Sequence, residues 1–248
     1  MTAKAYPLGA PVPGWQPAGV PTGARLSGRL THVRRLVASD AAPLFARLAP
    51  TQAPQDWLYM PVGPFADEAA FGDWLGPATA ATDPLFHAMV GADDDVPFGF
   101  CAFLNIRPET GSIEIGFIQL APGFQRSTAF TEAMYLMAKH AFEQGYRRYE
   151  WKCDALNLRS RRAAHRLGFS YEGLFRQHLV VKGRNRDTKW FSIIDSEWPA
   201  LDRRYARWLD PANFDGDGRQ KTSLSALTAP RIACHDPDLP PARAKGRP

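Results

Sequence analysis

The stretch with the clearest chemical content is Ala121-Pro-Gly-Phe-Gln-Arg-Ser-Thr128, a chain-breaking pair followed by small and polar residues. It joins two segments of different periodicity. Ser112-Ile-Glu-Ile-Gly-Phe-Ile-Gln-Leu120 is apolar and rich in β-formers, whereas Phe130, Met134, Met137, Ala138, Ala141 and Phe142 recur at helical spacing. A strand that ends in such a loop and enters a helix aims unpaired backbone N–H groups, and the positive end of the helix dipole, at one point. That is an anion site, and it would suit a diphosphate. A second helix start follows: Asn157 is a strong N-cap and Ser160 lies one turn beyond it. Arg159, Arg161, Arg162 and Arg166 gather on that helix. They read first as a solvated face and second as a means of steering phosphate.

The elements that position these groups follow from pattern. Gly145 closes the helix that begins near Phe130. Tyr149-Glu-Trp-Lys-Cys153 alternates as a half-buried strand does, and the helix capped by Asn157 ends at Gly168. Upstream, a strand near 29–35 leads to a helix over 41–49, capped by Ser39 or Asp40 with Pro43 in its first turn. A short helix is expected over Gln55–Met60 and another over 66–75, with Phe71, Trp74 and Leu75 on one face. Strands over 85–90 and 97–105 flank Gly91-Ala-Asp-Asp-Asp95, whose acids lack metal-ligand spacing and read as a solvated turn. Downstream, strands over 174–181 and 188–194 flank the basic turn Lys182–Arg186, and a last helix runs over 196–208.

Five motifs stand in a fixed order: Ile115-Gly-Phe-Ile, Gln125 to Thr131-Glu-Ala, Asn157-x-x-Ser160, Leu167-Gly-Phe and Glu172-Gly-x-x-Arg176. Together they resemble the GCN5-related N-acetyltransferase (GNAT) superfamily, in particular the branch containing the ribosomal-protein alanine acetyltransferases. The resemblance runs from about Arg29 to about Trp208 and is strongest over 113–195. It implies an α/β (α+β) fold whose mostly antiparallel central sheet is splayed in the middle and flanked by helices. It also implies acetyl-CoA as co-substrate, no metal, and direct transfer of the acetyl group to an amine, possible acceptors including a protein N-terminus. By the same resemblance, backbone groups of Ile118, Gln119 and Leu120 would hold the pantetheine and polarise the carbonyl. Gln125, Arg126, Ser127, Thr128, Ala129 and Phe130 would take the diphosphate, and the Asn157 amide would contact the pantetheine. Ser160 would protonate the departing thiolate. The early aromatics Trp57, Tyr59, Phe65, Phe71 and Trp74 read first as core packing; the resemblance implies a second reading, in which one or two of them line the acceptor pocket.

Two departures stand out against that pattern. The family keeps small residues where Thr128 and Phe130 stand, and the branch's carboxylate, seven residues after Glu172, is replaced by Leu179. Glu114 and His178 remain as candidate bases. These departures keep a second reading open, a GNAT-like module that binds or regulates without catalysis.

A chain of 248 residues, 45% hydrophobic and 22% charged, can bury a full core without staples. Cys101, Cys153 and Cys234 are widely spaced and odd in number, which argues for a reducing compartment and against a disulfide frame or structural zinc. No stretch approaches the ~20 apolar residues of a membrane span, so a cytoplasmic protein is expected. The net charge of +5 comes without a run of basic residues or a nucleic-acid motif. RNA or ribosome association is the lesser reading, and a homodimer is compatible with the sequence. Residues 1–25, with five prolines and four glycines, read as an extended arm before the 26–210 domain. Residues 211–248 hold six prolines and read as a disordered tail in which Leu224–Leu227 is not expected to dock.

Acetyl-CoA should raise the melting temperature, by the equivalent of about 2.7 kcal/mol at a hundredfold excess over Kd. Thermal shift or calorimetry checks this; an unchanged melting point at millimolar CoA would favour the non-binding module.

Overall fold

The computed structural model describes residues 6–49 and 54–240. The strands are β1 (Leu26–Ser27), β2 (Thr31–Arg35), β3 (Leu85–Gly91), β4 (Pro97–Arg107), β5 (Ser112–Leu120), β6 (Arg148–Asp154), β7 (Ser170–Val181) and β8 (Arg184–Ile194). The helices are α1 (Ala41–Leu48), α2 (Glu68–Ala80), α3 (Thr128–Glu143), α4 (Leu158–Arg166), α5 (Trp198–Leu209) and α6 (Leu224–Thr228). One sheet holds all eight strands in the order β1-β2-β3-β4-β5-β6-β8-β7. Every neighbouring pair is antiparallel except β5 with β6. This is the mixed α/β architecture expected from the sequence.

The parallel pair is short. β5 and β6 are in register only from Ser112↔Arg148 to Ile115↔Trp151, after which residues 116–120 pair with β4 alone. β6 stays bound to β8 as far as Asp154↔Thr188. The sheet is therefore split into a β1–β5 half and a β6–β8–β7 half. Near the split, β5 takes in an extra residue between the Phe100↔Gln119 and Ala102↔Gly116 pairs, and Phe117 adopts φ 51°. Such a bulge bends its strand and strengthens the local twist.

Each face of the sheet has its own packing. On one face Ile113, Ile115, Tyr149, Trp151, Phe191 and Ile193 bury against α3, α4 and α5. On the other, Phe86, Ala88, Phe100 and Ala102 meet Leu44, Trp57, Phe71 and Leu75 of the early helices and loop. A carboxylate ties α3 to the start of the sheet: Glu132 accepts the N–H groups of Arg29, Leu30 and Thr31 at 3.1, 2.6 and 3.0 Å. Gly28 is required there, because a Cβ would stand 2.6 Å from the Glu132 carboxylate.

Several expectations are corrected. Gln55–Met60 is not a helix: a 3-10 turn over Pro54–Asp56 is followed by irregular chain, and the fully buried Trp57 anchors it in the core. The following helix starts at Glu68, capped by Asp67, whose carboxylate accepts the Ala70 N–H at 2.8 Å. Asp40 does not cap α1 with its side chain, because both its oxygens are taken by Arg34, at 2.8 and 2.7 Å. Residues 6–25 form no helix or strand yet are fastened down. Gly19 N–H donates to the Gln144 carbonyl at 2.7 Å, and the Arg147 guanidinium lies 5.6 Å from the Trp15 ring centre.

The C-terminal segment also differs from expectation. Residues 211–240 fold back on the domain, while 241–248 lie outside the described residues. Leu224 and Leu227 do dock, buried in the main core as part of α6. Asp236 then enters a polar site under α4, accepting from Arg161 Nε at 2.6 Å and Lys189 Nζ at 2.5 Å. Its own N–H donates to His165 Nε2 at 3.0 Å. Composition concealed this because a few long-range contacts, not local periodicity, hold the segment.

The three side chains of this cluster are nearly sealed, with 5% (Arg161), 2% (Lys189) and 0% (Asp236) exposed. Asp236→Ala would strip buried Arg161 of its carboxylate and leave Lys189 only the exposed Asp238, at a cost of about 3–5 kcal/mol. A calorimetric melt should show it, with the exposed Asp217–Arg219 pair as a near-silent control. Burial alone would raise the Asp236 carboxyl, but Arg161 and Lys189 outweigh it and hold it below its ordinary 3.8. The contribution is thus complete above pH 3.8 and fades as pH falls through the lower folded value, so wild type and variant should converge in acid.

Candidate active site

The split between β5 and β6 opens onto the N-terminus of α3. Ser127 caps that helix by accepting the Phe130 N–H at 3.0 Å, and its carbonyl accepts from Thr131. The N–H groups of Gln125, Arg126, Thr128 and Ala129 find no acceptor among the described residues. They form the open cradle expected of an anion site, with Arg126 bent into positive φ at 63°. Phe130 does not narrow it, since its side chain is buried in the core on the inner face of α3. Thr128 is half-buried in the first turn. Phe130 therefore leaves the N–H groups of the loop uncovered.

Asn157 caps α4 as predicted, accepting the Ser160 N–H at 3.0 Å. Ser160 Oγ accepts the Trp151 indole N–H at 2.9 Å. A hydroxyl whose lone pair is so engaged still has its proton to give. Burial pushes the neighbouring Cys153 thiol up to about 11, with the Ser160 hydroxyl pulling weakly the other way. Cys153 is accordingly a poor nucleophile near neutral pH. Of the four arginines of this helix, only Arg159 and Arg162 are exposed; Arg161 is spent on Asp236, and Arg166 donates to Thr131 Oγ1 at 2.9 Å. The solvated face of α4 thus consists of Arg159 and Arg162.

Glu114 lies on the opposite side of the sheet from Ser160. Successive strand residues alternate faces, and Glu114 bonds Lys152 whereas Ser160 bonds Trp151. The buried Glu114 carboxylate accepts from Asn105 Nδ2 at 2.7 Å and from Lys152 Nζ at 2.8 Å. Burial lifts it above the usual carboxylate range, against the pull of Lys152. Lys152 Nζ also meets Glu150 at 2.8 Å and stands 3.9 Å from the Trp190 ring centre. Glu150 is shared with Arg148, which in turn pairs with Glu172.

His178 is on the same broad face but in different surroundings. Its Nδ1 is 3.0 Å from Thr188 Oγ1, and its ring packs against Phe175 and Trp190. Trp190 thus stands between His178 and Lys152. Leu179, in the position of the branch's carboxylate, is 43% exposed and binds nothing polar through its side chain. Ile118 is half-buried in the freed part of β5, while the Gln119 and Leu120 side chains are buried, so these residues could serve a ligand only through their backbones.

Two struts cross the split on the Glu114 side. Lys182, at the tip of the β7–β8 hairpin, donates to the carbonyls of Trp57, Val62 and Gly63 at 3.0, 3.2 and 2.6 Å. Tyr59 OH donates to the Leu156 carbonyl at 3.2 Å. The 54–65 loop belongs to the β1–β5 half, and both its partners belong to the other half. An arch results over the Glu114 face. Lys182 is therefore a structural cation rather than a solubilising one, which the sequence did not reveal. Lys152, Glu150 and Asn105 were also missed, although the i, i+2 spacing of Glu150 and Lys152 did place them on one face.

Among the described residues no group of His, Cys, Asp or Glu is arranged to hold a metal, and no helix is long and apolar enough to cross a membrane.

Comparison with known proteins agrees with this geometry. Residues 30–170 match the model of the acetyltransferase (GNAT) domain. A crystal structure of a GCN5-related N-acetyltransferase from Brucella melitensis is 43% identical, with a TM-score of 0.85 over 88% of this chain and 100% of that one. An uncharacterised N-acetyltransferase, p20, from Bacillus licheniformis is 28% identical over 58% of this chain and 83% of its own length. A Bacillus subtilis protein named, provisionally, a ribosomal N-acetyltransferase is 30% identical over 40% of this chain and 55% of its own. The split sheet, the open helix N-terminus and these matches together mean that the chain belongs to the GNAT acetyltransferase family.

Proposed function

We propose that this protein transfers an acetyl group from acetyl-CoA to a primary amine, a protein N-terminus or a small amino compound, by direct attack and in the cytoplasm. The observation that carries this reading is the split past Ile115 and Trp151, open at one end to the α3 cradle and bordered on its two faces by Ser160 and Glu114. Acetyl-CoA supplies the activated acyl group as a thioester. The 125–130 loop would take its diphosphate, the Asn157 amide and the backbone of Ile118, Gln119 and Leu120 its pantetheine arm. The amine nitrogen forms its bond to the acetyl carbon as the carbon–sulfur bond breaks. Ser160 gives its proton to the departing sulfur, and Glu114 receives the proton shed by the nitrogen, directly or through water. His178, in contact with Thr188 rather than with the Glu114 cluster, takes second place as a base.

Proton energetics favours an α-amine or small amine over a lysine side chain. Neutralising a lysine at pH 7 costs about 4.6 kcal/mol, against about 1.4 for an amine of pKa ~8. Glu114, a carboxylate even when lifted by burial, is too weak a base to close that gap.

Ser160→Ala should lower kcat severalfold or more while CoA affinity changes little; steady-state rates with calorimetry decide this, and an unchanged kcat would reduce Ser160 to a helix residue. For the acceptor, matched peptides at pH 7 and saturating acetyl-CoA should show a free N-terminal amine outpacing an N-terminally blocked lysine. A faster lysine acceptor in the wild type would overturn the assignment.

A further inference from the structure

The cluster at the vertex of the split holds a cation that neither the fold nor the proposed chemistry yet explains. Lys152 is the first residue of β6 past the last pair, Ile115↔Trp151. Its ammonium reaches back to Glu114 Oε2 and Glu150 Oε2, each at 2.8 Å, and lies over the face of Trp190. Its side chain is 11% exposed and those of Glu114 and Glu150 are 7% and 12%. Charges so withdrawn from water interact far more strongly than a surface pair does.

The groups that face Glu114 can be named element by element. β4 contributes Asn105, a neutral donor at 2.7 Å. β6 contributes Lys152 and the like charge of Glu150. β8 contributes Trp190, which bears on Glu114 only through Lys152. Arg148 reaches Glu150 and Glu172, not Glu114. Among the described residues, Lys152 is thus the cation in contact with the candidate base. A structural staple need not have been a cation shared between two carboxylates and capped by an indole.

We infer that Lys152 is a positioning residue that sets the proton affinity of Glu114, and with it the lower pH limit of turnover. The inference rests on the reading of Glu114 as the base. Burial and Glu150 favour the neutral acid, whereas Lys152 and Asn105 favour the carboxylate. A base must be ionised to accept a proton, so loss of Lys152 should raise the pH at which activity begins. The indole and the buried stem leave room for an uncharged chain of similar length, which makes methionine a suitable replacement.

The test is the pH dependence of kcat/KM for the full chain, wild type, Lys152→Met, Lys152→Arg and Glu114→Gln, with CoA affinity measured in parallel. Lys152→Met should move the acidic limb upward by about 1–2 pH units, with CoA affinity held within a few-fold. Lys152→Arg should bring the limb back toward its wild-type position. Glu114→Gln should abolish the limb. If Glu114→Gln abolishes it but Lys152→Met leaves it in place, the role given to Lys152 is wrong and the base assignment stands. If Glu114→Gln leaves both rate and limb intact, the base assignment fails, and this inference with it. A carbon-13 carboxyl titration of Glu114 in wild type and in Lys152→Gln reads the same shift without turnover. An unmoved Glu114 titration would overturn the inference even if the methionine variant folds poorly.

Discussion

Everything that could serve catalysis here depends on the end of one strand pairing. β5 and β6 run together only to Ile115 and Trp151, and the bulge at Phe117 turns β5 away before the strands could continue. A parallel ladder that stops in mid-sheet leaves backbone groups that would elsewhere be consumed by a neighbour. Such groups are costly when buried without partners, so a gap of this kind persists only where water or a ligand can satisfy them. The continued pairing of β6 with β8 and of β5 with β4 keeps each half rigid while the gap stays open. The split is thus a consequence of how the sheet is built.

Charge is distributed around β6 according to face. On the side of α4, Arg161 and Lys189 share Asp236, which arrives from the C-terminal segment, and Lys189 also meets Asp238 at 2.8 Å. Arg161 Nη1 also donates to the Ala155 carbonyl at 3.0 Å, in the turn that leads to Asn157. The segment beyond α5 is therefore connected, by two bonds in series, to the turn that carries the cap of α4. On the other side, Glu114, Lys152, Glu150, Arg148 and Glu172 alternate in sign across three strands. Two ionic systems of this kind on opposite faces of one strand constrain its position more tightly than apolar packing alone, because each charge left unpaired carries a desolvation cost.

The substituted loop illustrates how a departure from a family pattern is to be weighed. Phe130 replaces a small residue, yet its position on the apolar stripe of α3 carries the ring into the core and leaves the backbone N–H groups clear. Helical periodicity already placed Phe130 on that stripe. The replacement by Leu179 has no such remedy, since an exposed aliphatic chain offers no proton acceptor. The search for a base then moves to residues of other strands, where Glu114 is buried in the better-connected environment.

The sequence alone determined most of the elements, the cap at Asn157, the loop-to-helix cradle and the split sheet implied by family resemblance. These are properties of short-range backbone geometry: periods of two and 3.6, cap chemistry, and breakers such as Pro122-Gly123. It failed at Gln55–Met60, where the burial of Trp57 overrides local helical preference. It failed again after residue 210, because α6 and Asp236 are held by partners far away in the chain. Nothing in the local sequence distinguishes Lys182, Lys152 or Asp236 from ordinary surface charges. Only the tertiary structure gave each its role, because an ion pair depends on which strands become neighbours, and no local pattern of residues encodes that.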